Sequence, residues 1–321
     1  MLKIIYRVYN SKIMTPFRIM VQKIRGTQLF SKPLFFLNNQ KGVETACFIL
    51  AGYKNYTWEI VFNRIKKFCP NNIDICIVSS GVYSEKLKNI ATSNNWSYIS
   101  MKRNCVTHAL NSAIILFPFA KKIFKIDEDI FITDGFFENL PHIYEKSKND
   151  YFPAFSAPLI PINGYGYRKI LEKLNLVSLY SKKFEYPRIS AGGHMQIENN
   201  PDVAKFFWGG DEEKTILQLD VLNNRLKTCG AEKEYSICPI RFSIGAIYFE
   251  RQLLENFGFF PVRKGTCMGL DEEFLCNLAT TYSKVIVVSE RQVVGHLSFG
   301  NQNSDMKKYF FENNDLFDFK D

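Results

Sequence analysis

The sequence predicts an α/β fold: a mostly parallel sheet with helices on both faces. Two observations predict it. Between residues 44 and 135, short apolar, β-branched runs alternate with segments whose apolar residues recur at helical spacing. Three of these runs end in "AGY", "SSG" and "DED", at the strand ends where such a sheet gathers its ligands. A large aromatic-rich insertion and a basic, amphipathic N-terminal arm complete the predicted architecture.

The elements follow in order. "TACFILAGY" reads as a buried strand ending at Gly52, and "TWEIVFNRIKKFC" as a helix stopped by "PNN". "IDICIVSSG" is a second buried strand, "SEKLKNIATSNN" a helix and "WSYISM" a short strand. "CVTHALNSAIILF" is a helix stopped near Pro118, and "KIFKI" is a strand running into Asp-Glu-Asp. Residues 150–238 break the rhythm with Pro, Gly and aromatics. They read as an insertion or acceptor-side lobe, with helical patches near 168–181 and 212–227. The pattern returns with "FSIGAIYFERQLLENFGFF", a helix in "GLDEEFLCNLATTY" and a strand in "KVIVVS". The domain reading is an arm over 1–43, one α/β domain over 44–300 and a polar, aromatic tail over 301–321 that the pattern does not place.

Charge separates the arm from the body. The net charge is +9, from 41 basic and 32 acidic residues. Residues 1–43 hold eight basic residues and no acid, which leaves 33 basic against 32 acidic in the remainder. The body is nearly neutral, so no nucleic-acid partner is expected. On a helical wheel Leu2, Tyr6, Tyr9, Ile13, Phe17, Met20 and Ile24 share one side of the arm, with Lys3, Arg7, Arg18 and Arg25 beside them. Pro16 bends or splits such a helix. No charge-free run is long enough to span a bilayer. The pattern suits an interfacial helix on an anionic membrane surface, through residues 1–32. The eight cysteines show no C-x-x-C spacing and read as reduced, mostly buried thiols of a cytoplasmic protein.

Two acidic clusters carry candidate chemistry. Asp127 and Asp129 are one residue apart at a strand end, so an extended backbone points both to one side and turns Glu128 away. On that reading Glu128 tolerates replacement. Two carboxylates so placed can hold Mg2+ or Mn2+ and leave positions open for phosphate oxygens. The second cluster, Asp271, Glu272 and Glu273, opens a helix, where acids also complement the helix dipole. "SIGAIYFERQLLENFGFF" precedes it and "VVGHLSFG", with His296, follows.

This order resembles the nucleotide-sugar-dependent glycosyltransferases of the GT-A fold, in particular the inverting family 2 and its galactosyltransferase-like relatives. The resemblance covers about residues 44–135 and 240–300. It implies a divalent metal (Mn2+ or Mg2+) and a nucleotide-sugar donor bound through Asp127 and Asp129, with Asp129 as direct ligand and His296 completing the site or meeting the diphosphate. It implies a catalytic base at Asp271 or Glu272, with Leu275 as the apolar residue that follows the pair. Ala51, Gly52, Tyr53, Ser79 and Ser80 match the nucleotide pocket, although the acid usual at the second strand is missing, and Arg103 is placed to meet a phosphate. "FFWGGDEE" matches a W-G-G-acid motif of some relatives, but its sequence context sets it apart from His296. Asp211, with Gly193 and His194, is kept for acceptor binding. The implied reaction is inverting transfer to a glycan or lipid-linked glycan in cell-surface polysaccharide synthesis, at the cytoplasmic face of a membrane. A retaining GT-A transferase, and a non-catalytic glycan-binding scaffold on a degenerate transferase fold, are the alternatives.

Overall fold

The computed structural model describes residues 32–190, 197, 199–211, 215–228 and 233–319, together with 14 and 16. The chain runs β1 (Phe35–Leu37), β2 (Thr45–Leu50), α1 (Trp58–Phe68), β3 (Asp74–Ser80), α2 (Glu85–Ser93), β4 (Ser97–Met101), α3 (Val106–Leu116), β5 (Lys122–Asp127), β6 (Ile130–Phe131) and α4 (Phe136–Ser147). It continues through β7 (Pro153–Leu159), α5 (Gly166–Lys173), α6 (Val177–Lys183), α7 (Pro201–Phe207), α8 (Leu219–Thr228), β8 (Tyr235–Cys238) and β9 (Ala246–Glu250). The last elements are α9 (Arg251–Phe257), α10 (Leu270–Thr281), β10 (Val285–Val293), β11 (Gly295–His296) and α11 (Asn303–Glu312). The fold class is α/β, as the alternating pattern predicts. The interior ladders β2/β3, β3/β4 and β7/β10 are parallel.

The chain divides into two units. The first comprises the described residues of Met1–Gly52, Asn72–Ile123 and Glu250–Phe274. Its strand order is β1-β4-β3-β2, with β1 antiparallel at the edge. The central strand β3, "DICIVSS", is buried along its whole length, which is why it reads as one continuous apolar run. Helices α2 and α3 pack on β3 and β4. The first is capped by Ser84, whose hydroxyl accepts from the Leu87 N–H at 3.3 Å. Arg251, opening α9, donates to the carbonyls of Ile114 and Phe117 at 2.9 and 3.0 Å, and so closes the end of α3.

The second unit comprises Tyr53–Asn71, Phe124–Phe249 and the described part of Leu275–Asp321. Its strand order is β5-β9-β7-β10-β8, and β7 runs antiparallel to β9 as β8 does to β10. Helix α4 packs on β7 and β10, α5 on β7, and α8 on β10. The sheet also draws on residues 150–238. β7, "PAFSAPL", lies inside residues 150–238, yet it is a fully buried strand between β9 and β10. Its two prolines disguised it. Helix α4 was missed for a similar reason, since Pro141 lies in its interior. The tail also has a place: α11 and the turn after it bury Met306, Phe310 and Phe317.

Arg64 on α1 is fully buried and makes a two-pronged ion pair with Asp220 on α8, at 2.9 and 2.8 Å. It also donates to the carbonyls of Ile132 and Phe317 at 3.1 Å each. One guanidinium therefore ties α1, α8, the segment after β6 and the C-terminal tail together.

Candidate functional site

Strand β5 ends at Asp127, and Glu128 and Asp129 form a tight turn before β6. Extended alternation therefore stops two residues short of Asp129, and the expectation that Asp127 and Asp129 share a side does not follow. Asp127 pairs with Lys125 at 2.7 Å, and its carboxylate lies beside Gly245. Lys125 in turn donates to the Ile244 carbonyl at 2.9 Å.

Asp129 goes elsewhere. β6 pairs antiparallel with β11, setting His296 opposite Ile130 and Gly295 opposite Phe131. The Leu297 N–H donates to the Asp129 carbonyl at 3.2 Å, extending that register by one step. The ladder brings His296 Nε2 to 3.2 Å from Asp129 Oδ2. Lys54 Nζ lies 2.5 Å from the same oxygen. Asp129 is 4% exposed and His296 7%. Burial alone would raise the Asp129 carboxyl. The charges and hydrogen bonds of His296 and Lys54 overcome it and hold the group well below the usual carboxylate range. Burial likewise pulls the Lys54 ammonium down, but the Asp129 charge outweighs it and keeps the lysine above its ordinary value.

Glu128 does not face away. Its carboxylate accepts from the Tyr53 N–H at 3.0 and 3.2 Å and from the Trp58 indole N–H at 2.6 Å. The Thr57 hydroxyl lies 2.6 Å from the Glu128 carbonyl and 2.8 Å from that of Lys54. The turn after β2 is thus bolted to the Asp-Glu-Asp turn, and this linkage delivers Lys54 to Asp129. Sequence reasoning passed over Lys54. Its available signal was position, as the first cation after the strand-end glycine of "AGYK".

Divalent ions of the Mg2+ or Mn2+ kind take oxygen donors, with imidazole nitrogen acceptable to Mn2+, and leave several positions to water and substrate phosphate. Asp129 Oδ2 and His296 Nε2 supply one donor of each sort, and the buried Nδ1 of His296 has no hydrogen-bond partner. That pair fits such an ion. Asp127 is not seen to join it, and among the described residues no three of His, Cys, Asp and Glu converge.

The other predicted residues of the second unit are also placed. The Tyr53 ring is 62% exposed. Asp211 is spent on local structure: Lys183 lies 3.1 Å away and Thr215 bonds it through both N–H and hydroxyl. The separation of "FFWGG" from His296 holds in sequence but not in space. A Cβ on Gly295 would stand 2.2 Å from the Trp208 ring, so the indole covers the residue preceding His296. Gly193 and His194 lie outside the described residues, as do residues 1–13, 15 and 17–31 of the arm, while its last stretch, 32–43, carries β1 (Phe35–Leu37).

In the first unit, Ala51, Ser79, Ser80 and Arg103 collect at the carboxyl ends of β2, β3 and β4. The Ser79 hydroxyl donates to the Ala51 carbonyl at 2.6 Å, and the Ser80 hydroxyl accepts from the Cys105 N–H at 2.7 Å. Both serines therefore shape the strand ends. A Cβ on Gly52 would stand 2.7 Å from Val82, which leaves room there for glycine alone. Arg103 is exposed and donates to the Arg263 carbonyl at 2.5 Å. Asp271 and Glu272 open α10 as the sequence predicts, Asp271 buried and Glu272 half-buried.

No family model and no curated protein matches the chain. Solved structures similar to it include the mannosyltransferase PcManGT from Pyrobaculum calidifontis in complex with GDP-Man and Mn2+, and GalNAc-T7 with UDP, GalNAc and Mn2+. Each is 13% identical to the chain with a TM-score of 0.45. The matches cover 87% and 82% of this chain, which spans 64% and 45% of theirs. A likeness this loose does not by itself assign an activity.

Proposed function

We propose that the chain is a metal-dependent, inverting GT-A glycosyltransferase. It moves a sugar from a nucleoside-diphosphate donor to a hydroxyl of a glycan or lipid-linked glycan. The observation that carries this reading is the buried Asp129–His296 pair, formed by the two motif residues that the resemblance assigns to one metal and diphosphate site, 167 positions apart in sequence. Asp129 and His296 hold the ion, which when bound neutralises charge growing on the departing diphosphate.

The rest falls to the chain's own side chains. Asp271 or Glu272 accepts the proton of the acceptor hydroxyl as it attacks the anomeric carbon from the face opposite the diphosphate, which inverts that centre. Ala51, Gly52 and Tyr53 line the nucleotide site. Ser79 and Ser80 shape it through their hydroxyls, which bond the Ala51 carbonyl and the Cys105 N–H, and the exposed Arg103 meets a phosphate. Asp127 keeps Lys125 in place beside the strand end. The seven cations of residues 1–32 hold the enzyme at the cytoplasmic face of an anionic membrane, where polysaccharide precursors are extended.

A thermal-shift screen of nucleotide sugars with Mn2+ tests the reading. One donor is expected to raise the melting temperature in proportion to the logarithm of its concentration, and to do so only with Mn2+ present. A flat response to every donor contradicts it.

A further inference from the structure

The ammonium of Lys54 occupies the carboxylate oxygen that the proposed ion would use. Nζ is 2.5 Å from Asp129 Oδ2, on the oxygen that also meets His296 Nε2. A divalent cation and an ammonium cannot share that oxygen, because like charges at such a distance repel strongly where both are partly withdrawn from water. The backbone of Lys54 is fixed. Its carbonyl accepts from the Thr57 N–H at 3.0 Å, and the neighbouring Tyr53 N–H is held by Glu128. Its stem is not so confined, since the side chain is 27% exposed, so the ammonium can leave Asp129 while the turn stays in place.

We propose that Lys54 is a built-in competitor of the divalent ion: it holds Asp129 when no ion is bound and yields that oxygen when one enters. The inference rests on the metal reading of Asp129 and His296 and adds the residue that sets the affinity of that site. Lys54 sets a threshold. The site stays closed to adventitious divalent ions and fills once a further anion, such as the donor's diphosphate, is there to receive the displaced ammonium.

The test is Mn2+ binding to the purified full chain without nucleotide, followed by the loss of the free-ion paramagnetic resonance signal. Wild type, Lys54→Met, Lys54→Gln, Lys54→Arg and Asp129→Asn are compared, each checked for a native melting transition. Removing the competing charge should tighten Mn2+ binding by roughly tenfold in the Met and Gln variants. Arg should bind like wild type, and Asp129→Asn should abolish binding. Equal or weaker binding by both neutral variants, with Asp129→Asn still inactive in binding, overturns the role of Lys54 and leaves the metal site standing. Absence of Mn2+ binding from the wild type and both neutral variants overturns the metal reading and this inference with it.

Discussion

Glu128 shows how a two-residue error in strand length changes a residue's meaning. In an extended strand it would point away from its neighbours, and so replacement looked harmless. In the turn it is 8% exposed and accepts from the Tyr53 amide and the buried Trp58 indole. Glu128→Ala should cost about 1–3 kcal/mol, read as a lower urea midpoint. A wild-type midpoint would return Glu128 to the tolerant class. Asp211 offers a pH test. Burial raises its carboxyl, but Thr215 and Lys183 more than offset that and lower it. Its contribution is complete above the ordinary value of 3.8 and is lost as the pH falls through the lower folded value. The urea midpoint should therefore drop less between pH 6 and pH 3 in Asp211→Asn than in wild type. Cys267 is a third case. Burial raises its thiol, but the Cys105 thiol, the Arg263 backbone, Thr107 and the Arg103 charge outweigh that and lower it. Cys267 should be carboxymethylated by iodoacetate before Cys105, which burial pushes up. Peptide mass mapping reads the order.

Among the elements, those with plain periodicity were legible. β2, β3, β4 and the helices between them, together with α9, α10 and β10, fall where the alternation places them, because burial of one face or of a whole strand imprints itself on the sequence. β7 and α4 were hidden by internal prolines, and β6 and β11 are only two residues each, too short to carry a period. That last pair matters most, since its register is what joins His296 to Asp129. The contact between Trp208 and Gly295 was equally invisible, being set by tertiary packing. Gly295→Ala should force the indole or the β6/β11 ladder to move. It should lower the melting temperature and shift tryptophan emission. Arg64 likewise binds four segments through one buried guanidinium. Arg64→Met leaves Asp220 and two carbonyls short of a donor and should cost about 3–5 kcal/mol in urea unfolding.

For the whole molecule, the candidate site was legible as a list of residues and less so as an arrangement. Asp129 and His296 come together as their motif order implies. Asp127 pairs with Lys125, and Lys54 enters from the turn that the resemblance had assigned only to the nucleotide pocket. Charge patterning separates arm from body, and the arm predicts that the full chain sediments with anionic vesicles, less so as salt rises. Neutral vesicles should not retain it. The central claim is glycosyl transfer through Asp129 and His296. The most direct measurement is release of nucleoside diphosphate from a panel of nucleotide sugars with Mn2+, by wild type, Asp129→Ala and His296→Ala. One donor should be consumed by wild type, with turnover falling by about a hundredfold or more in both variants. Undiminished turnover in Asp129→Ala, or no donor consumed by wild type, would contradict the account.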